Sequence, residues 1–168
     1  MIEALRAVIA DAGVPSLHPM VVHFPIAFLA IAPLIDLGCL VLRDRVWLDR
    51  AASAMYLLGT LGAGAAYLTG ERAAEALESI TPAAESVLAD HEAQAVITLA
   101  VLAVVTLLRL TVTWLARDDR KIRLGIFRLL ALPAAAAALA VLALTADLGG
   151  TLVYRHGVGV ETVQTPGP

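Results

Sequence analysis

The sequence predicts an all-α, polytopic membrane protein: a four-helix transmembrane bundle with short amphipathic helices on its outer face. Three observations predict it. Apolar residues make up 60% of the 168-residue chain and charged ones only 16%, with a mean hydropathy of +0.82, which leaves too little polar surface to coat a soluble domain. Four apolar stretches, at about 19–42, 51–69, 91–115 and 124–148, approach or exceed the roughly 20 residues needed to cross a bilayer at 1.5 Å each. They are rich in Ala and Leu and show none of the alternation of strands.

Taken in order, Ile2, Leu5, Val8 and Ile9 recur at helical spacing around a single base, Arg6. That reads as a short helix lying on the membrane, not as a cleaved leader. The first span opens with "SLHPMVVHFPIAF", in which two histidines and two prolines interrupt an apolar run. The second carries Gly62, Ala66 and Gly70 at four-residue spacing, a flat stripe for a closely packed neighbour. Between the second and third spans, Ala73, Ala76, Leu77 and Ile80 are spaced for a short amphipathic helix, and Thr81-Pro82 then starts another, so residues 71–90 should cap the outer mouth. His91 opens the third span. The fourth should break at Gly149-Gly150, folding the chain back so that His156 returns over the mouth. Residues 1–160 read as one membrane domain, with 161–168 as a flexible tail.

Orientation follows from the bases. Arg43, Arg45 and Arg50 fill the first loop, and Arg117, Arg120, Lys121, Arg123 and Arg128 the third, against only Arg6, Arg72 and Arg155 on the other side. The positive-inside rule makes the first and third loops cytoplasmic and both termini periplasmic, in a bacterial inner (cytoplasmic) membrane. Trp47 and Trp114 then lie at the inner interface, and Tyr67 and Tyr154 at the outer one. On the outer segments acids outnumber bases ten to three, a face that suits a basic periplasmic redox protein as partner or simply stays solvated.

Several chemistries are excluded or unsupported. Cys39 is the only cysteine, so internal disulfides, cysteine-ligated iron–sulfur clusters and covalent C-x-x-C-H haem attachment are ruled out. There is no nucleophile elbow, phosphate loop or H-E-x-x-H, and no basic patch for nucleic acid. Whether the chain is an enzyme stays open.

What remains is the histidines. His18, His23, His91 and His156 all fall on the outer side. Each alone has a bland explanation as a helix-start, packed or solvated residue, but ionisable groups at membrane depth tend to be functional. Imidazoles from facing helices of a bundle can hold b-type haem. The expected axial pair is His23 and His91, with His18 and His156 bonding propionates or closing the pocket. For copper or zinc, His18 joins as a ligand, and Met20 beside it suits copper. Glu71 and Asp147 are candidates to orient an imidazole through its second nitrogen. Asp36 and Arg109 sit at similar depth above the inner interface and should pair within the bundle, which would make spans one and three neighbours. Three readings compete: an electron-transfer protein binding haem b, a periplasm-facing copper or zinc site, and an accessory or scaffold subunit of a larger membrane complex whose histidines are structural.

"HPMVVHFPIAF" near the start, "DHEA" at the third span and "DLGGTLVYRHGVGV" at the end resemble the bacterial membrane-protein family called domain of unknown function 2231. The resemblance extends from about Leu17 to Val160 and rests on His18, Pro19, His23, Pro25, His91, Gly149, Gly150, Tyr154, His156 and Gly157. It implies a small four-helix membrane protein. It implies redox work only by way of relatives joined to Rieske-type or cytochrome domains, and it carries no activity over to this chain.

Overall fold

A computed structural model describes residues 17–42, 46–77, 79–115 and 126–160. The expected N-terminal surface helix, the C-terminal tail and most of the basic loop residues lie outside them. Five helices follow in order: α1 (Leu17–Val21), α2 (His23–Val41), α3 (Val46–Glu75), α4 (Pro82–Leu115) and α5 (Ile126–His156). There is no strand among the described residues. Val22 keeps right-handed helical angles between α1 and α2, and its N–H still reaches the His18 carbonyl, so the two form one span. With α3, α4 and α5 this makes four helices long and apolar enough to cross a membrane.

The helices overrun the expected spans. Hydropathy marks the part of a helix that lies in lipid, whereas its ends are set by capping. The 34 residues of α4 cover about 51 Å at 1.5 Å each, well beyond the roughly 30 Å hydrocarbon core. Thr81 starts α4 by accepting the Ala84 N–H on its side-chain oxygen, 3.2 Å away, with Pro82 in the first position, where its missing N–H costs nothing. Nothing breaks the helix between Leu68 and Glu75, so α3 continues through Ala73, whereas Ala76, Leu77 and Ile80, expected on a separate amphipathic helix with it, lie outside any helix. Gly149-Gly150 likewise does not break α5. Helical hydrogen bonding carries on to His156, and the stop comes at Gly157, whose φ of +65° is left-handed. His156 is therefore the last residue of a continuous helix and not a group on a returning loop.

Around the bundle α2 packs on α3, α3 on α4, α4 on α5 and α5 back on α2, the up-down order that short connections favour. Spans one and three are thus diagonal and not adjacent, contrary to expectation. The core is built from Leu29, Ala32, Tyr56, Leu102, Val105, Ala135 and Ala138. Small residues on α3 let the first span approach: Pro25 lies against Gly62 and Leu29 against Gly59. A Cβ built on Gly59 would stand 2.6 Å from Leu29 Cγ, so Gly59→Ala is expected to cost about 1–3 kcal/mol by overpacking. Thermal unfolding in detergent checks this, and an unchanged melting temperature would refute the contact.

Candidate functional site

The two diagonal spans meet through side chains at both ends of the bundle. At one end His18 of α1 and His91 of α4 face each other, with ring centres 6.5 Å apart and planes at 84°. Each is held in the same way. The His18 ring packs over Gly70, whose built Cβ would lie 3.0 Å from its Cε1, and its Nδ1 donates to the Ala66 carbonyl at 2.9 Å. The His91 ring packs over Gly149, at 3.2 Å by the same measure, and its Nδ1 donates to the Thr145 carbonyl at 3.0 Å. In both cases the accepting carbonyl lies one helical turn before the glycine. Because a carbonyl only accepts, the neutral ring carries its proton on Nδ1, which leaves Nε2 with the free lone pair. Orienting an imidazole through its second nitrogen is how proteins set the ligating atom. Here backbone supplies the orientation, whereas Glu71 and Asp147, the expected orienting acids, are both exposed.

The expected partner of His91 was His23, but the imidazole that meets it is His18. His23 is exposed and donates its Nδ1–H to the Pro19 carbonyl of the preceding turn at 2.6 Å. His156 ends α5, partly buried. No group of three or more His, Cys, Asp or Glu residues gathers as a metal-ligand set among the described residues.

At the opposite end Arg109 of α4 reaches across the bundle. Its Nη2 lies 2.7 Å from Asp36 Oδ1 and 3.3 Å from Asp49 Oδ1. Nη1 donates to Thr113 at 3.0 Å, and the Tyr56 hydroxyl donates to Asp36 Oδ2 at 3.1 Å. Asp36, Asp49, Tyr56 and Arg109 are all buried. Asp49 reads as a loop residue in the sequence, yet it lies in the first turn of α3. Between the two ends the interior carries two hydroxyl pairs, Thr98 with Thr145 at 2.7 Å and Thr60 with Thr106 at 2.7 Å. Thr98, Thr60 and Thr106 also reach a carbonyl on a neighbouring helix.

One spacing ties the ends together. Eighteen residues separate His18 from Asp36, and eighteen separate His91 from Arg109. That is five turns at 3.6 residues each, which returns a helix to the same face. Each odd span thus presents an imidazole and a charge to the bundle axis, and each following even span presents a carbonyl and a glycine. The first pair of helices and the second are two versions of one hairpin.

No curated protein and no solved structure matches the chain. Residues 14–162 match the family described as "Predicted membrane protein (DUF2231)". With nearly the whole chain covered, four apolar helices of spanning length, and the His-Pro and Gly-Gly segments at the shared histidine end, the protein belongs to that family of membrane proteins.

Proposed function

We propose that this chain is an electron-transfer protein of the bacterial inner membrane that binds b-type haem between His18 and His91. One observation carries the reading: two imidazoles from diagonal helices stand 6.5 Å apart, with both Nδ1 atoms tied to backbone and both Nε2 atoms free. A metal held between opposed imidazoles, at about 2 Å per bond, sets the ring centres about 6 Å apart. Haem brings four nitrogens of its own, so two protein ligands complete the iron's coordination. Zinc and copper sites draw three or four donors from the protein, and no third His, Cys, Asp or Glu joins this pair among the described residues. The chemistry supplied by bound haem is one-electron transfer.

The basic loops argue that the histidine end faces the periplasm. Glu71, Glu75, Glu85, Asp90, Glu92 and Asp147 surround this end against Arg72 and Arg155, which favours a basic soluble redox protein as the electron acceptor. The test is an absorption spectrum of the purified protein. A Soret band is expected, abolished by His18→Ala and by His91→Ala and retained in His23→Ala. A colourless, metal-free protein would overturn the proposal in favour of an accessory subunit, in which the imidazoles serve as packing groups seated on glycine. Stoichiometric copper or zinc without a Soret band would select the metal-ion reading.

A further inference from the structure

One buried atom stays unsatisfied at the Arg109 end of the bundle. Arg109 Nε–H is shielded from solvent, yet it has no hydrogen-bond partner among the described residues. A buried donor without an acceptor is costly, and rare enough in folded proteins to need a cause. Within a span it is costlier still, because lipid tails offer no acceptor. The surrounding cluster does contain one. Nε and Nη2 lie along one edge of the guanidinium and form a fork that matches the two oxygens of a carboxylate. Asp36 already occupies half of that fork, with Oδ1 2.7 Å from Nη2. Its other oxygen, Oδ2, is taken by the Tyr56 hydroxyl at 3.1 Å.

We infer that the Tyr56 hydroxyl is a latch: it holds the Asp36–Arg109 ion pair half made, and its release lets the fork close. The phenol and Nε–H compete for one oxygen, so the cluster has two arrangements that differ in which donor is satisfied. In the arrangement seen, Tyr56 of α3 ties Asp36 of α2, and Nε of α4 is left over. In the other, Asp36 takes Nε and Nη2 together and the phenol is left over. Each arrangement strands one donor, which keeps the two close in energy. The rest of the cluster serves both. Nη2 has two hydrogens, so its Asp49 contact at 3.3 Å stands beside a closed fork, and Nη1 keeps Thr113. Tyr56 is buried in the core, so its ring stays in place and only the hydroxyl bond is exchanged. Asp36 and Arg109 belong to the first and third spans, which stand diagonally across the bundle. Closing the fork draws those two spans together at this end, whereas the latch ties the first span to its neighbour α3. The cluster is thus a switch between a neighbouring and a diagonal contact.

The experiment uses the full-length protein in detergent and the substitution Tyr56→Phe, which keeps the ring and removes only the competing hydroxyl. With the latch gone, Nε–H should bond Asp36 Oδ2. The Arg109 Nε–H proton resonance should move downfield, and the melting temperature should rise by about 2–4 °C, the scale of one hydrogen bond in a chain of this length. Lysine has no such fork, so in an Arg109→Lys background Tyr56→Phe should instead lower the melting temperature. An Nε–H resonance that does not move overturns the latch, whatever the melting temperature does, and means that Nε is satisfied otherwise, as by a buried water. A fall in the melting temperature of the single variant overturns it as well. So does an equal rise in the Arg109→Lys background, because the gain would then not come from the fork.

Discussion

Arg109→Ala should destabilise the protein by about 3–5 kcal/mol, the usual consequence of removing one partner from a buried ion pair. Arg109 is 9% exposed, and its Nη2 contacts both Asp36 and Asp49. Without the guanidinium the Asp36 carboxylate keeps only the Tyr56 hydroxyl among its side-chain hydrogen bonds. Asp36 and Arg109 also bridge helices that stand diagonally across the bundle, so the loss falls on the alignment of the whole bundle. Thermal unfolding in detergent should show a large drop in melting temperature for Arg109→Ala. The double change Arg109→Gln with Asp36→Asn should recover part of it, because it removes the charges together. A single variant as stable as wild type, or a double variant whose cost is the sum of the two singles, would show that the pair contributes nothing to the fold.

The four spans were readable from composition because lipid admits few structures and long apolar runs are hard to disguise. Helix ends were not. Thr81-Pro82 marks a helix start, yet the polar stretch to Asp90 hides that this helix runs on through His91 as one α4 that protrudes from the apolar layer. Gly149-Gly150 looked like a break because two glycines weaken an isolated helix. In α5 the pair is tolerated, and Gly149 has a packing purpose that only its neighbour reveals: the His91 ring lies on it.

The choice between His18 and His23 was decidable from spacing. With Asp36 taken to face the bundle axis, His18 lies eighteen residues back, in phase. His23 lies thirteen residues back, about 140° out of phase at 100° per residue. The same count places His91 in phase with Arg109. His23 lies deeper along the apolar run, but the chain stays helical through Val22, so the phase is kept and His23 stays exposed. Asp49 was not recoverable in this way, because its role depends on how far α3 extends beyond the apolar run.

The repeated seat of imidazole on glycine yields the sharpest test of the site. On the haem reading, Gly149→Val should weaken haem binding while leaving the fold intact, and its neighbour Gly150→Val should leave both unchanged. A Cβ at position 149 already stands 3.2 Å from His91 Cε1 and 3.7 Å from Nδ1. The further methyls of valine extend into the space where the ring lies, so His91 must swing off the Thr145 carbonyl and lose the bond that orients it. Losing such an orienting partner lowers metal affinity by roughly 10- to 100-fold. A Cβ at position 150 has only the edge of Tyr154 within reach, at 3.9 Å, and Tyr154 is 90% exposed and free to move. Gly70→Val should mimic Gly149→Val through His18, where the built Cβ is closer still, at 3.0 Å from Cε1. Haem titration into the metal-free variants measures the affinity, and thermal unfolding of the same samples separates a lost site from a lost fold. If folded Gly149→Val binds haem as tightly as Gly150→Val, the glycine floor does not position the imidazole, and the two-hairpin account of the site is wrong.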